Sequence, residues 1–190
     1  MIPSAPTLHV VGTEMVVGAF ALSGLCFLFC FLSTFEFMKF AKMWKQWDTL
    51  AHGSLMFGLL ATPLAIISGI ASSPGEDIQS ALLANKLSLS MSGIGFALAV
   101  LVVRFRGGFE VWNQRKSALL HSMVGMTAVG LMLLTASLGG RFSRGESLLD
   151  FAHLPYDTVF IAPVWFSLFL MVLGLSNIVV YLKKHSAVEH

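Results

Sequence analysis

The sequence predicts an all-α fold, a polytopic membrane bundle of about five transmembrane helices in which a four-helix core is followed by one more helix. The chain has 190 residues, of which 56% are hydrophobic and 12% charged, and its mean hydropathy is +0.79. A soluble domain of this size carries more charge and fewer apolar residues. The chain also contains five apolar runs, each near the roughly 20 residues that a helix needs to cross a bilayer. Together these observations predict a single transmembrane domain over residues 1–190.

The first apolar run, near residues 8–33, is about twice as long as the apolar part of a signal peptide. Its N-terminal flank, MIPSAPTLH, contains no lysine or arginine and so no basic n-region. We therefore expect a span that is retained rather than a cleaved leader, with the mature protein beginning near Met1. The remaining predicted spans lie near residues 49–71, 86–105, 118–138 and 158–182.

Basic residues predict the orientation of these spans. Nine of the twelve lysines and arginines fall between the first and second runs, at the end of the third run or between it and the fourth, or after the fifth. Short cytoplasmic loops carry such an excess, so the N-terminus is expected outside and the C-terminus in the cytoplasm. Trp47 and Trp112 fall near the predicted interfaces, as aromatic belts do. We expect a multi-pass protein of a cell membrane, namely the cytoplasmic membrane of a prokaryote. The net charge of +2 reflects the loop bias and indicates no nucleic-acid partner.

The second and fourth runs share a weak internal similarity. Aligning DTLAHGSLMFGLLATPLAIISGI with SALLHSMVGMTAVGLMLLTASLG places His52 over His121. Asp48 and Ser117 each lie four residues earlier, where they are the predicted N-caps. Both runs start on the same predicted side, so the histidines lie at one depth, about 6 Å inside their helix starts. They can face each other if the two helices are neighbours or diagonal partners.

This histidine pair is the strongest candidate for a cofactor site. Ionisable side chains inside a bilayer are rare and usually face the bundle interior, and imidazole is a common axial ligand of haem iron. We therefore interpret His52 and His121 as axial ligands of a haem b. Room for the flat macrocycle is expected beside the glycines that follow them, Gly53, Gly58, Gly125 and Gly130. The alternative is that each imidazole bonds water or lipid headgroups near the membrane surface.

Three further polar residues are weaker candidates. His9 begins the first run and His153 precedes the fifth, so they are expected on the outer side, as ligands of a second haem or a metal ion. The alternative is that neither binds anything. Glu14 is a carboxylate inside a span, and such groups often mark proton or quinone paths. Structural pairing of Glu14 with Arg141, Lys86 or a tyrosine hydroxyl is an equal alternative.

The segments AHGSLMFG, LLHSMVGM and SLGGRFSRGES resemble those of two groups of membrane proteins. One is the small four- to six-helix b-type membrane cytochromes, whose bis-histidine haems exchange electrons with quinols or soluble carriers. The other is an uncharacterised prokaryotic four-helix membrane family that opens with a His-Pro segment and ends its fourth helix in a Gly-Gly turn, a basic residue and a further glycine. The likeness covers the first four runs. This chain departs from the second group, because LHVVGTEMV lacks the His-Pro start and a fifth run is appended.

The histidine pair and the resemblance together favour a membrane b-type cytochrome or cytochrome-like subunit. Such a protein carries electrons between a quinone pool or partner subunit and another redox protein of a respiratory chain. The resemblance implies one haem b, or two, with the lipid bilayer, a quinone and other membrane redox subunits as partners. One alternative is a non-catalytic structural subunit of a larger respiratory or oxidase complex. Another is a small transporter built around Glu14 and the histidines, and whether the chain is itself an enzyme is left open.

Overall fold

In a computed structural model, the described part of the chain is all-α. It comprises residues 3–35, 42–72, 80–147, 149–153 and 158–159. Four long helices are present in these ranges: α1, Ala5–Ser33; α2, Trp44–Ser72; α3, Ala81–Gly107; and α4, Arg115–Arg144. All four are long and apolar enough to cross a membrane. Short 3-10 helices follow α3 and α4, at Gly108–Trp112 and Asp150–Ala152.

The helices support a multi-pass membrane protein, as the hydropathy predicted. Of the predicted fifth span at residues 158–182, only Thr158 and Val159 lie within the described residues. The rest of that span lies outside them, so the fifth helix stays a prediction. The orientation across the membrane stays a prediction as well, since the helices alone do not distinguish the two sides.

The helices extend beyond the apolar runs that predicted them. α2 begins at Trp44, so Asp48 lies inside the helix and is not its N-cap. α4 begins at Arg115 after the N-cap residue Gln114, so Ser117 lies in its first turn. Both N-cap predictions are wrong. The added first turns contain exposed charged residues such as Lys45, Arg115 and Lys116, which lie where a helix end meets water.

Consecutive helices run antiparallel around a shared interior. α1 packs along α2 and α4, α3 packs along α4, and α2 approaches α3 only over a short stretch. Helices α2 and α4 have no close backbone contact, and neither have α1 and α3, so each pair is diagonal across the bundle. We call the end formed by the C-termini of α1 and α3 and the N-termini of α2 and α4 the His-pair end.

Hydrogen bonds and small residues hold α1 closely against α2. Ser23 Oγ, which is fully buried, donates to the carbonyl oxygen of Ala51 at 2.8 Å. A Cβ built on Gly12 would lie only 3.1 Å from the backbone nitrogen of Ala65, so the two backbones approach there as only glycine permits. Close packing through small residues and interhelical hydrogen bonds is typical of membrane bundles. These contacts fix the register of α2 at the residue that precedes His52.

Candidate functional site

His52 of α2 and His121 of α4 meet inside the bundle. Their Nε2 atoms lie 2.9 Å apart, and each residue is 6% exposed. The ring planes are inclined by 17° and the ring centroids are 5.1 Å apart. The distance between the ring centroids exceeds the distance between the two Nε2 atoms by about one ring width. The rings therefore meet tip to tip, through their Nε2 atoms, and do not stack face to face. The structure thus brings together the two histidines that the internal similarity aligned, from diagonal helices.

Asp48 sets the orientation of His52 from one helical turn away. His52 Nδ1 lies 2.7 Å from the Asp48 backbone oxygen and 3.1 Å from its carboxylate Oδ1. A carbonyl oxygen can only accept, so His52 donates the hydrogen on Nδ1. With both rings neutral, His52 Nε2 then carries a lone pair. The hydrogen bond between the two Nε2 atoms is therefore donated by His121.

The carboxylate of Asp48 also joins α2 to α3 and to the 3-10 helix that follows it. Arg104 of α3 places Nε 2.8 Å and Nη2 2.7 Å from Oδ2. Trp112 donates its Nε1 hydrogen to Oδ1 at 2.8 Å. A fully buried carboxylate is costly unless it is paired and hydrogen-bonded. The contacts with Arg104, Trp112 and His52 meet that requirement. We call the group of Asp48, His52, Arg104, Trp112 and His121 the Asp48 network.

Aromatic rings enclose the two imidazoles. Phe27 of α1 is fully buried and stands edge-on to both, with centroid distances of 5.1 Å to His52 and 6.2 Å to His121. The Trp112 ring is nearly perpendicular to that of His121, at 5.7 Å and 88°. The walls of the site are therefore apolar except for the Asp48 side, which gives the imidazoles an environment of low polarity.

The two histidines match a bis-histidine haem site in ligand type and in the orientation of His52, but their spacing and the filled space beside them do not fit a haem. Two imidazoles from separate helices form a bis-histidine ligand set, and His52 is oriented through Nδ1 as metal-binding histidines usually are. A metal between two imidazole nitrogens needs them about 4 Å apart, because each bond is about 2 Å. The observed 2.9 Å is the length of a direct hydrogen bond. The two rings must therefore separate by roughly 1 Å to hold a metal.

Two of the four glycines, Gly58 and Gly125, do not leave the open space that the sequence suggested. A Cβ on Gly58 would lie 2.7 Å from the ring of Phe20, and one on Gly125 would lie 2.8 Å from the ring of Phe27. Those two spaces are thus filled by protein, and the expectation that these glycines leave room is wrong. Gly53 is exposed on the helix surface, and Gly130 has no atom within 4 Å of its Cβ position.

Two buried polar atoms next to the Asp48 network have no hydrogen-bond partner. They are Nε1 of Trp47, the residue before Asp48, and Oγ of Ser122, the residue after His121. Buried polar groups in proteins are nearly always paired, and in a bilayer an unpaired one is especially costly. Each atom can bond a polar group of a bound molecule, so both are compatible with a ligand at the His-pair end.

The remaining candidate residues are not brought together. His9 donates from Nδ1 to the Ala65 carbonyl oxygen at 2.9 Å, whereas His153 is exposed with a positive φ of 49°. No described hydrogen bond or ring contact joins the two histidines. Glu14 is exposed on α1 and pairs with neither Arg141 nor Lys86. Among the described residues, no three His, Cys, Asp or Glu side chains form a group that could hold a metal ion.

Sequence reasoning missed two members of the Asp48 network and gave a third the wrong role. Arg104 is one of the nine basic residues that predict the orientation, Trp112 is predicted to be an interface aromatic, and Asp48 is predicted to be an N-cap. One signal could have found them. A carboxylate one turn before an intramembrane histidine needs a cation and a donor at the same depth, and the end of the third run supplies both.

The role of this site rests on its geometry. Four apolar helices, a buried tip-to-tip histidine pair and one buried ion pair are what the described residues show. Comparisons with protein-family models, with curated proteins and with solved structures gave no significant match.

Proposed function

We propose that the protein is a membrane b-type cytochrome, or a cytochrome-like subunit, that carries electrons between a quinone pool or partner subunit and another redox protein. The tip-to-tip meeting of His52 and His121 inside four apolar helices carries this proposal. Ionisable residues that face each other inside a membrane bundle usually have a functional role. Helical bundles commonly hold cofactors between side chains of facing helices in this way.

His52 and His121 are the residues that would hold one haem b, which supplies one-electron chemistry when bound. The chain contributes ligation, orientation and an apolar surrounding that tunes the cofactor. Asp48 orients His52, and the rings of Phe27 and Trp112 keep water from the imidazoles. Because no described contact joins His9 to His153, the proposal is limited to a single haem.

An optical spectrum with haem quantitation tests the proposal. Full-length protein purified from haem-replete cells is expected to show a Soret band, a reduced α-band and about one haem per chain. The double variant His52→Ala/His121→Ala is expected to lose these bands. His9→Ala is the matched control, since its ring bonds Ala65 at a distance from the pair, and it is expected to keep them. A colourless wild-type preparation that is fully folded contradicts the proposal.

A second candidate is a non-catalytic structural subunit of a larger respiratory or oxidase complex. The direct hydrogen bond between His52 and His121, together with the close packing of Phe27, favours it, because the network then serves only to tie helices together. Co-purification with a large complex and a haem content of zero are expected in that case. A transporter built around Glu14 has no comparable support, since that side chain is exposed and no described hydrogen bond or ion pair joins it to a histidine.

The proposed setting is the cytoplasmic membrane of a prokaryote, with five spans and the N-terminus outside. It is supported by the apolar run at 158–182 and by the cations that follow it in the sequence. Reporter fusions to the C-terminus of the full chain test the cytoplasmic C-terminus that five spans with the N-terminus outside require. A reporter that is active only in the cytoplasm is expected to be active, and one that is active only outside contradicts this topology.

A further inference from the structure

We propose that the protein forms a symmetric dimer through an exposed face of α1, where the Glu14 carboxyl groups of the two copies bond each other. This inference goes beyond the proposed function and does not depend on haem. The face lies on the side of α1 away from Phe27, the residue through which this helix contacts the two histidines.

One side of α1 is exposed along most of the helix. The buried side carries Phe20 and Phe27, which pack against Gly58 of α2 and Gly125 of α4. On the opposite side, exposed residues follow one another at spacings of three and four, so they form a single stripe. We call this stripe the α1 face, and it consists of Val11, Glu14, Gly18, Leu22 and Leu25.

Glu14 places a carboxyl group on the α1 face inside an apolar span. It lies about 14 Å along the helix axis from Ala5, the first residue of α1. The residue is exposed, and no hydrogen bond or ion pair joins it to another residue that the structure describes. Ionisable side chains within spans almost always face the bundle interior and pair with another polar group. Because Glu14 faces outward, we place its polar partner on another molecule.

Gly18 lies one helical turn after Glu14 and leaves the α1 face open to a second helix. No atom lies within 4 Å of its Cβ position, so the buried packing of α1 does not require a glycine there. Small residues beside a polar residue are typical of contacts between membrane helices, because they let two backbones approach closely. Leu22 and Leu25 extend the face with apolar side chains that are 43% and 56% exposed.

A second copy of the chain fits the α1 face because a carboxyl group is complementary to itself. A carboxyl group that carries its hydrogen donates one hydrogen bond and accepts another. In a dimer with two-fold symmetry, the commonest closed arrangement, the same patch of both copies meets at the axis. The two Glu14 side chains then satisfy each other, and the two Gly18 residues let the helices come close enough for these bonds.

Self-association of the full chain in phospholipid vesicles tests the proposal. Energy transfer between copies with different fluorescent proteins at the C-terminus measures association as the ratio of protein to lipid falls. The wild type is expected to associate. Glu14→Leu is expected to weaken association by roughly 3- to 20-fold, the range for one interhelical hydrogen bond in a membrane. A monomeric wild type, or Glu14→Leu that associates as the wild type does, overturns the proposal.

Glu14→Gln separates the pairing of two carboxyl groups from an ionic contact. An amide also donates and accepts, so this variant is expected to associate about as well as the wild type. If Glu14→Gln abolishes association as Glu14→Leu does, the contact depends on a charge and the self-pairing of Glu14 is wrong.

Gly18→Leu and Gly95→Leu are a matched pair of variants. Both glycines are exposed and have no atom within 4 Å of the Cβ position, but Gly95 lies on α3. Thermal unfolding in detergent is expected to show both variants folded. Only Gly18→Leu is expected to weaken association, because its side chain keeps the two α1 helices apart. Equal association of the two variants overturns the placement of the contact on α1.

Cross-linking locates the contact without changing Glu14 or Gly18. A short bis-maleimide is expected to join two copies of Leu22→Cys in vesicles and to leave Leu87→Cys, an exposed position on α3, as monomer. The native Cys26 and Cys30 are each 1% exposed, so the reagent does not reach them. Equal cross-linking at the two positions contradicts a dimer built on the α1 face.

Discussion

Both guanidinium contacts of Arg104 fall on one carboxylate oxygen of Asp48. Nε and Nη2 lie 2.8 and 2.7 Å from Oδ2, which leaves Oδ1 to Trp112 and His52. The two oxygens thus have separate partners, since Oδ2 pairs with the guanidinium of Arg104 and Oδ1 faces Trp112 and His52. The stability of the His-pair end and the position of His52 therefore depend on the same residue.

Arg104→Met is expected to lower the free energy of unfolding by about 3–5 kcal/mol, because it leaves the buried charge of Asp48 unpaired. Asp48 is fully buried and the Arg104 side chain is 17% exposed, so water compensates the loss poorly. Chemical unfolding in detergent measures the change. The double variant Asp48→Leu/Arg104→Met removes both charges and is expected to recover much of the loss. A single variant as stable as the wild type contradicts the ion pair.

Trp112→Phe is expected to destabilise the protein by about 1.5–3 kcal/mol more than Trp47→Phe. Trp112 donates to a carboxylate at 2.8 Å, whereas Nε1 of Trp47 is buried with no partner. Both substitutions remove the same volume, so the difference reports the hydrogen bond. Thermal unfolding of both variants in one detergent measures it. Equal losses would show that the bond of Trp112 to Asp48 contributes nothing.

Ser23→Ala is expected to destabilise the protein, whereas Ser122→Ala is expected to be neutral or stabilising. Both residues are fully buried, but Ser23 donates to Ala51 and the hydroxyl of Ser122 has no partner. Loss of an interhelical bond in a membrane protein costs about 0.6 kcal/mol on average and up to about 1.7. Removing an unpaired buried hydroxyl is neutral or stabilising. If Ser122→Ala destabilises haem-loaded protein alone, its hydroxyl contacts the bound group.

The sequence predicted the four helices and the meeting of the two histidines for a simple reason. Hydropathy reports burial in lipid along one chain segment, and aligned segments with a common starting side place His52 and His121 at one depth. The sequence calls for a cation and a donor near Asp48 but does not pair that residue with Arg104 and Trp112, which lie 56 and 64 residues from it along the chain. Such pairings depend on which helices become neighbours, and the order of the spans does not determine that.

The sequence also could not predict how space in the interior is used. Gly58 and Gly125 follow the histidines and suggested room for a macrocycle, yet α1 supplies the rings of Phe20 and Phe27 to these positions. A glycine in a helix predicts that a neighbouring group packs closely against it, but it does not identify that group. Glu14 is a second case. As a carboxylate inside an apolar run it suggested a proton or quinone path through the protein, but it lies on the exposed surface of α1.

Gly125→Ala is expected to destabilise the protein by about 1–3 kcal/mol, because its Cβ would lie 2.8 Å from the ring of Phe27 and force that ring to move. Gly130→Ala in the same helix is the matched control. No atom lies within 4 Å of its Cβ position, so the gain in helix propensity is expected to make it neutral or stabilising by up to about 1 kcal/mol. Thermal unfolding of the haem-free variants in detergent measures both. If both alanine variants unfold at the same temperature, the ring of Phe27 moves readily out of the space beside Gly125. A flat cofactor between the histidines would need that same space.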